Sequence, residues 1–344
     1  MILVLKPNDV LLFRESKPFG IDYHLARTTF PLPQTVAGAL RSAIYLKDKS
    51  KAEEIGLGKE EPKFEIVGTF FYKKSENSGG IELLSECPKD VASDFSLVKP
   101  RSLQQLGVEI FQGSDIHLRP LDAFFRVSTI ARYLQGEVKR EYFIERSRVF
   151  VRERRVGIAL EDGKVTRERH FYTTELLRLS DDCGLAVWVE KNLDELNGEI
   201  VRLGGEGRFA KLERVPDPKF LADLQSYWKG IRKRINRARR LRLYLATPAI
   251  FKSGAYRPKP DTSELVEKLR GNVKIERIYW LTGKPLVFSG WDYVAKKPKA
   301  TRYAVPAGSV YFVEFEGEVN LDKPYVKLGE LTKLGYGLCF LGVW

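Results

Sequence analysis

Two tight turns constrain this chain most, because each forces its flanking segments into an antiparallel pair. Asp162-Gly163 separates RVGIAL (Arg155–Leu160) from HFYTTELLRL (His170–Leu179). The turn Gly204-Gly205-Glu206-Gly207 separates EIVRL from RFAKLERV. Asp-Gly between alternating apolar residues is a strong short-range hairpin signal, since glycine accepts the positive φ that such turns require. FEIVGTFFYKK (Phe64–Lys74) and IELLS repeat the arrangement around the Ser, Asn and Gly of residues 75–80, and LAVWVEK adds a strand. Hairpins in this number predict antiparallel sheet.

Helices are fewer. In PLPQTVAGALRSAIYLKD, Pro33 suits a first helical position, where its missing N–H costs nothing. Val36, Ala37, Leu40 and Ile44 recur at helical spacing, with Gln34 and Arg41 together on another face. Leu121–Leu134 predicts a short helix with Phe124, Phe125, Ile130 and Leu134 in the core. Pro216 and Pro218 break the chain, and KFLADLQSYWKGIRKRINRARR then predicts a longer helix leading into the strand LRLYLATPAIF. VKIERIYWLTG and VYFVEFEG are further strands. Each half thus opens with a strand and continues into mixed strand and helix. The expected class is α+β, with antiparallel sheets in two domains at 1–215 and 216–344, a pattern that suggests a duplicated ferredoxin-like unit with insertions.

Charge narrows the partner. Lys and Arg number 58 against 45 Asp and Glu, a net +13 that points to a polyanion. The three histidines, His24, His117 and His170, have no metal-ligand spacing, and the sequence holds no Gly-x-Ser-x-Gly elbow and no Walker loop. Cys87, Cys183 and Cys339 are far apart and form no Cys-x-x-Cys pair. No metal, cofactor or catalytic residue is therefore predicted. Scattered thiols, no recognisable signal peptide and no apolar run of ~18 residues predict a cytoplasmic protein without a membrane partner.

Arginine forks grip phosphates and aromatic rings stack unpaired bases, so basic stretches interleaved with aromatics are candidate RNA contacts. Arg14, Lys17 and Phe19 share the loop before the Pro33 helix, whose N-terminus presents unpaired N–H groups. RVFVRERRVG carries Arg148, Arg152, Arg154 and Arg155. Gly204, Gly205 and Gly207 permit close backbone approach, with Arg208 just beyond. Lys252, Tyr256 and Arg257 follow the first strand of the second half. Lys296, Lys297, Lys299 and Arg302 lie between Trp291, Tyr293 and Tyr303, and Gly335-Tyr336-Gly337 near the C-terminus offers an aromatic between glycines. The basic run IRKRINRARRLR is equally consistent with one solvated helix face.

These pieces occur together in a known family. The chain resembles the RAMP superfamily of CRISPR proteins, and within it the type III-B (Cmr complex) subunit that caps the 5′ end of the guide RNA. The resemblance rests on LKPNDVLLFRESKPF followed by FPLPQTVAGALRS, on RRVGIAL with HFYTTELLRL, on LGGEGR, on GWDYVAKKPKATRYAVPAGSVYFVE and on the final GYGLCFLG. It spans nearly the whole chain in order and is weakest from about Glu76 to Arg119. It implies two ferredoxin-like (RRM-like) domains and a non-catalytic subunit of a Cmr complex in antiviral defence. The implied partners are the guide's 5′ tag, the large Palm-domain subunit and an adjacent backbone RAMP subunit. It places Gly204, Gly205, Gly207, Arg208, Arg14, Lys17, Phe19, Gln34 and Arg41 along the RNA path, and makes Gly335, Tyr336 and Gly337 the second domain's glycine loop. Arg148, Arg154, Lys252, Arg257, Lys296 and Lys297 are added on charge.

Two alternatives stay open. One is a scaffold whose basic surface binds acidic proteins. The other is a metal-independent repeat-RNA endoribonuclease, as some RAMP relatives are, with His24 as general acid or base. The endoribonuclease reading has a direct test: repeat RNA incubated with the protein in EDTA should stay intact if the chain is a binding subunit, whereas cleavage lost in His24→Ala would establish the nuclease.

Overall fold

The structure is a computed structural model. It describes residues 1–14, 25–26, 28–75, 80–103, 108–112, 120–160, 166–216, 219–256, 258–292 and 294–344, without the side chains of 25–26, 101–103, 108–112, 158–160 and 166–172. Strand β1 (Ile2–Pro7) is followed by helix α1 (Pro33–Lys47), then by β2 (Ile66–Lys74), β3 (Ile81–Glu86), β4 (Phe124–Arg126) and β5 (Phe143–Ile144). The long hairpin β6 (Phe150–Leu160) and β7 (Thr166–Leu179) belongs to a separate sheet with Leu25–Ala26. Next come β8 (Cys183–Val189), β9 (Ile200–Arg202) and β10 (Phe209–Val215). The main sheet has eight antiparallel strands in the order β9-β10-β1-β8-β2-β3-β4-β5.

The rest of the chain adds α2 (Phe220–Ala238), β11 (Arg240–Leu245), α3 (Thr262–Leu269), β12 (Val273–Leu281), β13 (Val310–Gly317), β14 (Tyr325–Lys327) and β15 (Leu338–Gly342). Its sheet has five antiparallel strands in the order β12-β13-β11-β15-β14. The class is thus mixed α and β, with large antiparallel sheets and few helices. In both sheets the opening strand lies between the last and the last but one of four strands: β10-β1-β8-β2 and β15-β11-β13-β12.

Burial explains why β1 alternates so weakly in sequence. Leu3 and Leu5 pack under α1, against Val36, Leu40 and Ile44. Ile2 and Val4, on the other face, join a core that also contains Leu241, Leu243, Phe340 and Leu341 of the second sheet. A strand covered on both faces is apolar at successive positions. β8 is buried at all seven residues for the same reason. The two sheets therefore share one core.

Hydrogen bonds tie the same boundary. The Tyr244 hydroxyl donates to Glu86 O at 2.6 Å, and Ser85 Oγ donates to Ala246 O at 2.9 Å. Lys327 Nζ donates to Ile66 O at 2.5 Å and pairs with Glu65 at 3.2 Å, while burial pushes its amine down to about 8. Deeper in the core, Tyr133 Oη donates to Asp90 Oδ1 at 2.8 Å. Arg242, on β11, donates to Tyr133 O at 3.2 Å and lies 3.6 Å from Asp90 Oδ2. Asp90 and Arg242 are both wholly buried. Burial pushes the Asp90 carboxyl up, against the opposing pull of Arg242 and Tyr133.

One expected element is different. Leu121–Leu134 is not one helix: Phe124 and Phe125 lie in β4, paired with β3 and β5, and only Val127–Tyr133 is helical, a 3-10 turn (Val127–Thr129) running into one α-turn (Ile130–Tyr133). The four expected core residues are all buried. α3 went unread, although Asp261 caps it by accepting from Glu264 N at 3.0 Å, an Asp-x-x-Glu start signal visible in sequence. All three cysteines are buried and unpaired.

Removing one member of a buried ion pair strands the other's charge. Asp90→Ala should therefore destabilise the chain by about 3–5 kcal/mol in chemical denaturation, and Arg242→Met combined with it should recover much of the loss. A loss below about 1 kcal/mol would show that the pair does not anchor the core.

Candidate nucleic-acid interface

The glycine turn is held in place by the loop that follows β1. Gly205 N donates to Leu12 O at 2.8 Å, and Gly204, at φ +83°, comes so close that a Cβ there would sit 2.5 Å from the same oxygen. Only glycine fits both demands. On its other side this loop pairs with β7, Leu11 and Leu177 exchanging two 2.8 Å hydrogen bonds. The loop is thus clamped between the turn and the hairpin, which brings Arg208 to the hairpin's arginines.

Register distributes those arginines over both hairpin faces. Arg154 lies opposite Glu175, and Arg152 opposite Leu177. On that face the Glu175 carboxylate, nearly buried, pairs with Arg152 at 2.5 Å and with Arg154 at 3.7 Å. On the other face Glu153 accepts from Arg155 at 2.6 Å and Arg178 at 2.5 Å. Asp9 then joins Arg178 (3.3 Å), Arg208 (3.4 Å) and Arg155 (3.8 Å). A hydrogen bond from the Val10 backbone, with these three arginines, holds the Asp9 carboxyl below the usual carboxylate range. Arg208 also lies 3.7 Å from Glu206, and its buried Nε has no hydrogen-bond partner among the described residues. Beside the exposed glycine turn Arg155, Arg178 and Arg208 thus meet Asp9, Glu153 and Glu206, while Arg152 and Arg154 meet Glu175 on the opposite hairpin face. A cleft of about 220 Å³ opens beside them, lined by Lys6, Asn8, Asp9, Arg178, Ser180 and Asp181.

A second basic surface stands apart in construction. The strands Leu286–Phe288 and Arg302–Ala304 pair into a hairpin arm, closed further out by Trp291–Asp292 with Lys297–Pro298. Lys296, Lys297 and Lys299 are exposed on it, as is Lys252 nearby in sequence to Tyr256. Asp292 caps the arm's turn, accepting from Val294 N and Ala295 N at 2.9 Å each.

Some expected contacts have other roles. Gln34 donates to Ser289 O at 2.9 Å and fastens the arm to α1. Arg41 donates to the carbonyls of Gly56, Lys59 and Glu60 at 2.6–3.0 Å, folding the loop after α1. Tyr336 corrects the sequence reading: it is fully buried and stacks on Phe288 at 5.7 Å, so its ring cannot meet a base. Gly335 and Gly337 are buried with it, and a Cβ on Gly337 would sit 1.9 Å from Leu328 O. That turn is a packing device. Arg14 is exposed beside Thr28, and Arg148 is exposed before β6. Lys17, Phe19, His24 and Arg257 lie outside the described residues, as does the side chain of His170. The run Ile231–Arg242 splits: Ile231 and Ile235 are core, Arg242 is buried, and Lys233, Arg234, Arg237 and Arg239 face solvent.

Asp9 and Arg178 were not foreseen. A register shift between Thr166 and Phe171 makes counting outward from Asp162-Gly163 misplace Arg178.

The family described as CRISPR-associated protein (Cas_Cmr3) matches residues 3–344. The chain belongs to the Cas_Cmr3 family. It is 23% identical over 222 residues to a protein of Saccharolobus solfataricus named CRISPR system CMR subunit Cmr3; the match covers 61% of this chain and 62% of that relative, less than two thirds of its length. The fold is similar to chains in two cryo-EM structures of the type III-B Cmr-beta complex. One, bound to cognate target RNA, gives a TM-score of 0.52 at 19% identity; the other, bound also to AMPPnP, gives 0.50 at 17%. Both cover 91% of this chain and 86% of the other. Cas_Cmr3 membership agrees with the resemblance carried by the sequence motifs. Among the described residues no helix is long and apolar enough to cross a membrane, and no three His, Cys, Asp or Glu residues cluster as a metal site.

In this Cas_Cmr3 chain Asp9 offsets three arginines at once. Asp9→Asn should therefore tighten RNA binding and steepen its salt dependence by up to about 0.7 in log–log slope, measured by fluorescence anisotropy. Weaker binding would mean that Asp9 positions the arginines more than it screens them.

Proposed function

We propose that the chain is a non-catalytic, RNA-binding subunit of a type III-B CRISPR effector (Cmr) complex, acting in antiviral defence in the cytoplasm. It holds the 5′ tag of the guide RNA and bridges the large Palm-domain subunit to the adjacent backbone subunit. The convergence of Arg155, Arg178 and Arg208 on Asp9 beside the exposed glycine turn carries this reading. It supplies arginine forks and a bare backbone within one surface, the combination that grips phosphates.

The mechanism needs no bond to break. Phosphate contacts fix the position of a strand, and unpaired bases supply identity through their edges and faces. The carboxylates keep the arginines ordered before RNA arrives, so less side-chain freedom is lost on binding. Each half is read here as a ferredoxin-like unit. The shared strand order β10-β1-β8-β2 and β15-β11-β13-β12 supports this, as does a helix following the first strand in each case.

The experiment compares 5′-tag RNA with a scrambled RNA of equal length across a salt series, for the chain alone and with the large subunit. Tighter tag binding without cleavage is expected. Arg208→Ala should weaken it and reduce the salt slope by about 0.7, one single-strand phosphate contact. Unchanged affinity in the folded variant would remove Arg208 from the site. Equal affinity for both RNAs even in the assembly would sink the tag-reading role.

A further inference from the structure

Three side chains on the second half, Tyr256, Val287 and Tyr303, expose much of their apolar surface. Tyr256 is 78% exposed, and its ring lies 5.8 Å from that of Tyr303, itself 42% exposed, at 53°. Val287 is the register partner of Tyr303, so the two share the arm's outward face. The face is presented on fixed backbone. Ala255 is buried beside Tyr256, Gly254 N donates to Phe251 O at 2.9 Å, and Ser253 Oγ donates to Lys259 O at 2.7 Å. Arg302, next to Tyr303, is forked onto Glu60 at 2.9 and 3.0 Å and onto Glu330 at 2.6 Å, which braces the arm.

The charge around these rings differs from that at the glycine turn. Arg155, Arg178 and Arg208 are already ion-paired. Lys252, Lys296, Lys297 and Lys299 make no ion pair among the described residues. The nearest carboxylate on the arm is Asp292, held low first by the Ala295 backbone N–H and only weakly by Lys299 and Lys297. Trp291, 51% exposed, stands among these lysines at the arm's end.

Exposed rings on a surface that also carries lysines without ion pairs are what an unpaired nucleic-acid strand requires. Bases stack on the rings whatever their sequence, and the ammonium groups follow the backbone. An acidic protein segment would satisfy the lysines and leave the rings without a partner. We infer that Tyr256 and Tyr303, with the lysines of the arm, form a base-stacking platform for single-stranded RNA, separate from the glycine-turn site. The inference rests on the reading of the chain as an RNA binder and not on its recognition of the tag.

The test uses the full chain and an oligouridylate of about ten nucleotides, which carries no tag, with inorganic polyphosphate as a charge-only probe. Tyr256→Leu and Tyr303→Leu should each weaken oligouridylate binding about tenfold and leave polyphosphate binding unchanged, while Tyr256→Phe and Tyr303→Phe keep parental affinity. Tyr256 is too exposed for its replacement to disturb folding, and an unchanged melting temperature verifies this. Equal losses for both probes would overturn stacking. Leucine variants that bind oligouridylate like the parent, or that instead lose a protein partner on co-purification, would overturn the platform. Tag preference enters none of these arms, so losing the tag reading leaves the outcome readable.

Discussion

Covering one sheet on both faces is the constraint on which the rest depends. Ile2–Leu5 of β1 and all of β8 have no solvent face: α1 takes one side and the second sheet the other. Neither half can be removed without exposing apolar residues such as Ile2, Val4 and Trp188, each fully buried side chain contributing on the order of 1.5–3 kcal/mol. The halves are therefore fixed against each other by the same burial that folds them. Gln34, Arg302 and Lys327 then set the arm and the terminal strands with polar contacts across the boundary.

That rigidity gives two basic surfaces of different character. Around the glycine turn, nearly every arginine already has a carboxylate. An incoming phosphate there must compete with Asp9, Glu153 and Glu206, which favours recognition by geometry over attraction by net charge. On the arm, the lysines are uncompensated and the aromatics bare, a surface that attracts and stacks with little regard to sequence. A chain with a surplus of thirteen positive charges can thus hold one ordered arginine site and one permissive lysine site.

Particular residues show why part of this was legible. The turn at residues 204–207, the Pro33 helix, the strand at Ile66–Lys74 and the pairing of β6 with β7 depend on local chemistry, and their signals lie within a few residues of each other; Asp162-Gly163 itself lies outside the described residues. Phe124 and Phe125 misled because two adjacent aromatics suit either a helix or a strand, and only pairing with β3 and β5 decides. Tyr336 looked like a stacking aromatic because glycines flank it. Those glycines instead let the backbone pass against Leu328 and Ile66, which draws the ring inside. Gln34 and Arg41 have polar side chains on one helix face, and nothing local tells a hydrogen bond to a distant carbonyl from one to RNA.

By itself the sequence determined the antiparallel hairpins, the first and longest helices, the basic surplus and the family, because each is written in residues adjacent in the chain. Only the tertiary structure decided which arginines converge, since Asp9, Arg155, Arg178 and Arg208 come together through a clamped loop and a shifted register. It also decided which aromatics face solvent, because burial depends on what packs above a residue and not on the residue itself.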